Sequence, residues 1–333
     1  MLKNLTISLN KHFDNFDSDF FGVGTETGFK IFRVASAEYC FQRETKTPVK
    51  LFSLLSRSNI FAFVGDGSKK DFPSNKVCIW DDFKMKIVAE LIFRENIFGI
   101  YFSSDKFIVV TNTETFVLEL KTLKQELAIK TQPNPLGCCS VTGGRDNLTL
   151  VIPSQNEGYV KIIRFKNDNQ PTISELKAHE HAISKIEISS DAKLLATASQ
   201  KGTIIRVFDI EANQKICELR RGKNTAEIYS MCFGRDNELL AVTSSSSTIH
   251  IFEIGANSKK DTKKSSWFGM STKEIKSSYK SHLEKSGIFH ISCFNKNNLN
   301  VIFVDGSFFE FQVDTETKKL KKIIYTNFED GNF

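Results

Sequence analysis

The stretch "ISKIEISSDAKLLATASQKGTIIRVFDI", residues 183–210, superposes on "IYSMCFGRDNELLAVTSSSSTIHIFEI", residues 228–254, with Leu194-Leu195-Ala196 on Leu239-Leu240-Ala241, an offset of 45 positions. Each reads as an apolar-alternating strand, a turn rich in Ser, Asp and Asn, a second strand, another turn and a third strand. Weaker copies stand at 15–34, 97–120 and 288–313. A period of about 40–45 residues is that of one four-stranded propeller blade, so the chain has room for about seven. The expectation is all-β: a seven-bladed β-propeller forming a single domain over residues 1–333. Two β-sandwiches would need a linker, and no Pro/Gly-rich break divides the chain.

The composition agrees. With 40% hydrophobic and 25% charged residues the chain is globular and can bury a large core, and thirty phenylalanines against four methionines favour short aromatic-rich strands over helices. Seven cysteines, with no CxxC spacing and mostly inside apolar runs, point to a reducing, cytoplasmic setting. "MLKNLTISLNKHF" lacks a signal-peptide core, and no apolar run is long enough to span a bilayer. Membrane contact, if any, is therefore expected at the surface.

Two segments break the strand pattern. "GDGSKKDFPSNK" (65–76) only superficially resembles a phosphate loop, since GxxxxGK[ST] is not met and no helix pattern follows. The other is "GANSKKDTKKSSWFGMSTKEIKSSYKSHLEKSG" (255–287), whose eight lysines against Asp261, Glu274 and Glu284 give it a net +5 out of the chain's +6. A loop this long inside a compact domain is either functional or a solubilising insertion.

No GxSxG elbow, HExxH helix or paired-cysteine set is present, and six scattered histidines make no metal site, so catalysis, a metal and a cofactor are not expected. The chemistry points to recognition instead. "ICELRRGKNTAEIYS" (216–230) places Arg220 beside Arg221 in extended chain, where neighbouring side chains leave on opposite faces and serve two different places. Upstream, Ser199, Lys201 and Thr203 alternate along one strand; downstream, Ser246, Thr248 and His250 do the same. Hydroxyls and cations converging on a shallow pocket suit a phosphorylated headgroup. Taken singly, each polar row reads equally as a solvated strand face and the arginine pair as surface. Their joint occurrence in one third of the chain favours two pockets, one on each side of the pair.

These residues resemble the PROPPIN family, WD-repeat-like seven-bladed propellers whose signature is Phe/Leu-Arg-Arg-Gly followed by an "IYS"-like segment. Here it is Leu219-Arg220-Arg221-Gly222, supported by "FGVGTETGFKIF" (21–32), "FPSNKVCIWDD" (72–82), "PNPLGCCS" (133–140) and "ATASQKGTIIRVFDI" (196–210). The resemblance implies a first phosphoinositide site of His179, Ser199, Lys201, Thr203, Arg206 and Arg220. It implies a second of Arg221, Ser246, Thr248 and His250, with Ser230 a weaker member. Two departures stand out: Ser247 where relatives often carry lysine, which takes a cation from the second site, and Leu219 for the commoner phenylalanine, a packing change.

The resemblance also makes 255–287 the family's membrane-inserting loop, between the third and fourth strands of blade six, with Trp267, Phe268 and Met270 as the inserting residues. Phe268, Ile275, Tyr279 and Leu283 are spaced to permit an amphipathic helix; a flexible loop inserting only its Trp-Phe tip is the other reading. The function implied is a peripheral membrane scaffold, monomeric in solution and not an enzyme. It would bind phosphatidylinositol 3-phosphate and 3,5-bisphosphate and recruit autophagy or trafficking effectors to preautophagosomal, endosomal or vacuolar membranes, with no nucleic acid as partner. The competing reading is a protein-interaction propeller whose basic loop binds nucleic acid or an acidic protein. A histidine beside phosphate would gain a proton, so headgroup binding through His250 and His179 is expected to strengthen as pH falls from about 8 to 6.

Overall fold

The computed structural model describes residues 7–9, 20–55, 58–103, 105–144, 147–166, 170–234, 236–254 and 274–328. Seven small antiparallel sheets succeed one another along the chain, beginning at Ile7, Val49, Ile97, Ser140, Ile183, Ile228 and His290, and form the seven-bladed propeller expected from the 45-residue repeat. In every blade the strands follow in sequence order. The alternation in the opening stretch is what builds this. In blade five, Leu195 packs towards blade four, whereas Ala196 and Ala198 pack towards blade six. A strand buried on both faces is largely apolar, and in Leu194–Ser199 only Thr197 and Ser199 are polar, Thr197 being satisfied by His179.

Among the described residues the buried apolar side chains fall into seven clusters, one between each pair of neighbouring blades. The phenylalanines fill these wedges as offset and edge-on pairs, such as Phe29–Phe52 at 4.5 Å and Phe21–Phe32 at 5.1 Å between ring centroids. Blades one and seven each take all their strands from one end of the chain. Side-chain packing joins them: Phe21, Phe32 and Val34 of blade one meet Ile302, Phe308 and Phe328.

Blade six departs from its neighbours, and here the structure corrects the expected insertion. Residues 274–287 belong to the propeller body. Glu274–Lys276 adds to blade five as a fifth strand, parallel to Gln214–Arg220, and Tyr279–His282 is the fourth strand of blade six, antiparallel to Thr248–Glu253. The helical spacing of Ile275, Tyr279 and Leu283 is therefore not helix. Ile275 lies in a strand against the blade five–six core, and Tyr279 and Leu283 are buried between blades six and seven. The outer edge of Thr248–Glu253 would otherwise leave a row of backbone donors and acceptors without partners, and pairing it outweighs a three-residue apolar spacing. Trp267, Phe268 and Met270 lie outside the described residues. No helix among the described residues is long and apolar enough to cross a membrane.

Candidate functional site

Strand parity separates the two arginines. Along Gln214–Arg220, Cys217 and Leu219 enter the core between blades five and six, and Leu219 is fully buried. Glu218 and Arg220 consequently face the blade-four side, and Arg221 turns back towards blade six. Two different environments result.

On the blade-four side, Arg206 lies opposite Glu218 in the ladder, donates to its carboxylate from Nε at 2.9 Å, and donates from Nη1 to the Ala178 carbonyl at 2.7 Å. Lys215 reaches the same carboxylate at 2.7 Å. Arg220 is half-buried and donates from Nη2 to Glu274. His179 is buried, with Nε2 at 3.0 Å from the Thr197 hydroxyl and 3.2 Å from its carbonyl. Ser199 closes its strand in a buried position, while Lys201 is exposed and Thr203 half-buried on the following turn. Of the first predicted set, Arg206, Arg220 and His179 thus lie on the side of blade five that faces blade four, Ser199 ends the neighbouring strand, and Lys201 and Thr203 stand on the turn after it rather than along one strand. Both of its arginines are already held by carboxylates.

On the blade-six side the chemistry is different. Arg221 is 6% exposed. Its guanidinium donates to the carbonyls of Gly202 at 2.8 Å and Asn224 at 2.6 Å, and to the Ser246 hydroxyl at 3.4 Å. Every one of these acceptors is neutral, and no ion pair to Arg221 is found among the described residues. Burial pulls its pKa below the ordinary value, yet a guanidinium stays charged at any physiological pH. A buried cation held only by dipoles is costly unless an anion joins it. Gly202 shapes this wall: its φ is +60°, and a Cβ there would stand 2.0 Å from the Ala226 carbonyl oxygen. No other residue fits.

Ser246 is held by Ser244 at 2.9 Å; Thr248 lies 3.5 Å from His282 Nδ1, and His250 Nδ1 lies 3.2 Å from the Ser277 hydroxyl. These residues and Arg221 form the second predicted set, with one exception. Ser230 is buried on the opposite side of blade six, where its hydroxyl accepts from the Ser292 amide at 3.0 Å and pins blade six to blade seven. The irregular pairing between Ile228 and Ser230 shifts the alternation by one residue and turns it away from Arg221. Ser247 takes the turn position at φ +56°, with its side chain buried.

The histidines also differ from expectation. Desolvation, reinforced by nearby cations, lowers His179 and His250 each to about 4. At neutral pH both are uncharged rings that offer hydrogen bonds, so the free protein brings no histidine charge to either pocket. Glu218, Glu274, Ser277 and His282 were missed by reading the sequence. Glu218 could have been found, since it is two residues from Arg220 on the same strand face; Glu274 is 54 residues away and arrives only through strand pairing.

A groove of about 420 Å³ lined by Glu238, Leu239, Phe294 and Lys318 opens at the far end of blades six and seven. Thr248 and Glu253 sit at opposite ends of one strand, so this groove, which includes Glu253, is remote from Arg221.

This chain resembles proteins of known kind along nearly its whole length. The PROPPIN family profile matches residues 8–291. Autophagy-related protein 18e of Arabidopsis thaliana is 32% identical over 237 residues, covering 70% of this chain and 63% of that protein. The chain spans between 51% and 69% of the lengths of the curated relatives compared. Among solved structures, Hsv2 of Kluyvelomyces marxianus superposes with a TM-score of 0.78 at 21% identity, over 97% of this chain and 98% of that one. The structure titled as the complex of KlAtg21 with the coiled-coil of AgAtg16 gives 0.74 at 20% identity, over 96% and 98%. By its propeller of sequence-ordered blades, its Leu-Arg-Arg-Gly signature and a profile match covering most of its length, the chain belongs to the PROPPIN family.

Proposed function

We propose that this propeller is a phosphoinositide-binding peripheral scaffold that carries autophagy or endosomal and vacuolar trafficking factors to membranes, with phosphatidylinositol 3-phosphate and 3,5-bisphosphate as its lipids. The buried guanidinium of Arg221, bonded to Ser246 and held by neutral acceptors alone, on the side of blade six towards which Thr248 and His250 alternate, carries the reading. A phosphate monoester supplies the missing charge, and the hydroxyls suit the inositol ring. The groove holding Arg206 and Arg220 serves as the second foothold, and lysines of the segment from 255 onward add attraction to an anionic surface, at about 1 kcal/mol each. Three modest contacts on one body bind far more strongly together than singly.

Autophagy-related names among the relatives support the setting, and recruitment to preautophagosomal, endosomal or vacuolar membranes follows from it. The coiled-coil complex of a structural neighbour supports an effector-carrying role. On this chain the outermost strand of blade two and the turn before it expose the single apolar side chains Phe83, Met85, Val88 and Ile92 among charged neighbours, a mixed edge fit for such a partner and distant in the ring from the arginines. The test is flotation with liposomes that differ only in phosphoinositide species. Recruitment by vesicles carrying either 3-phosphorylated lipid, and none by vesicles of the same net charge lacking it, is the expected result. Equal recruitment by charge-matched vesicles overturns the reading.

A further inference from the structure

Glu274 holds the guanidinium of Arg220 with its carboxylate. The short strand Glu274–Lys276 runs parallel to Gln214–Arg220 with Glu218 opposite Glu274, Leu219 opposite Ile275 and Arg220 opposite Lys276. Ile275 packs with Leu219 against the core between blades five and six. Alternation then turns Glu274 and Lys276 to the face that carries Glu218 and Arg220. The Arg220 guanidinium donates to Glu274, and the two stabilise one another's charge: the carboxyl is held below its usual pKa by the Arg220 hydrogen bond, and the guanidinium is raised by Glu274. Lys276, exposed on the same face, keeps this end of the groove cationic.

A guanidinium accepts a carboxylate and a phosphate monoester through the same parallel donors. We propose that Glu274 is an internal competitor for the first pocket: a headgroup phosphate must displace its carboxylate from Arg220, so the strand returning from the blade-six insertion sets how tightly that pocket binds. The inference rests on the phosphoinositide reading above and deepens it. The contrast with Arg221 supports it, because that arginine has only carbonyls and a hydroxyl to give up. Arg220 and Glu274 are 35% and 39% exposed, so water screens the pair. Removing the carboxylate should therefore raise headgroup affinity by roughly two- to fivefold, the scale of an exposed ion pair, rather than by orders of magnitude.

The experiment is a titration calorimetry cycle on the full chain with soluble inositol 1,3-bisphosphate, using the parent, Glu274→Gln, Arg220→Thr and the double variant, with inorganic phosphate as a second titrant. Glu274→Gln keeps the size of the side chain and the strand pairing. It is expected to bind two- to fivefold tighter than the parent, and to have no effect once Arg220 is Thr. If the parent binds inositol bisphosphate but Glu274→Gln binds no tighter, or tightens binding equally without Arg220, the competitor is wrong while the headgroup reading stands. If the parent takes up no inositol bisphosphate, or takes up inorganic phosphate as well, the headgroup reading fails and this inference with it.

Discussion

Arg220 and Arg221 are adjacent in the chain, yet one pairs with the carboxylate of Glu274 on the blade-four side and the other is buried against the carbonyls of Gly202 and Asn224 on the blade-six side. A single peptide unit thus carries two anion-seeking groups with opposite structural cost, one already compensated and one not.

That difference predicts unequal variants. Arg220→Thr removes a water-screened ion pair and should leave the unfolding free energy nearly unchanged. Arg221→Thr strips three hydrogen bonds from buried acceptors and should cost about 1–3 kcal/mol. Both should reduce liposome flotation, each singly leaving a remainder and the pair abolishing it. Urea unfolding beside flotation separates the effects; complete loss of headgroup binding on Arg220→Thr alone would contradict two pockets.

The corrected insertion divides its residues into two groups. Leu283→Ala should destabilise the fold by about 2–4 kcal/mol, since Leu283 is 6% exposed within the core between blades six and seven. Replacing Trp267 and Phe268 together by Ser should weaken liposome binding while sparing affinity for a soluble inositol phosphate. Thermal melts, flotation and calorimetry on the two variants check this directly.

The pH dependence concerns stability more than binding. His179 and His250, lowered to about 4 in the fold, bind protons in the unfolded chain from about 6.5 downward. Between those values the unfolded state holds more protons, so stability rises with pH. Stability should be full above about 6.5 and fall progressively towards pH 4, by on the order of 3 kcal/mol for each histidine. Liposome binding between pH 6 and 8 should owe little to either ring, contrary to the expectation from unperturbed histidines. His179→Gln and His250→Gln should each flatten the stability slope in urea titrations at pH 5 and pH 7.5.

Closure of the ring offers a fourth test. Phe328 stacks edge-on with Phe21 at 5.4 Å and tilts against Phe32 at 4.7 Å, joining the last blade to the first. Phe328→Ala should cost about 3–5 kcal/mol, comparable to a large truncation anywhere in the core. A loss well under 1 kcal/mol in chemical denaturation would show that this contact does not hold the ring shut.

The propeller was legible in the sequence because its cause is local and repeated. Alternation places Leu195 and Ala196 on opposite faces of a strand whatever its neighbours do, and a 45-residue recurrence fixes how many such sheets must pack. The separation of Arg220 from Arg221 was readable for the same reason. The tertiary structure decided matters that depend on which strands meet. Glu274 reaches Arg220 because the insertion returns along the outer edge of blade five, and Tyr279 and Leu283 are core because blade six lacks a fourth strand without them. An irregular pairing at Ile228 turned Ser230 to blade seven, and burial between blades neutralised two histidines that the sequence left free to titrate. Strand parity belongs to the chain itself, whereas partner, depth and dielectric arise only once separate strands have come together.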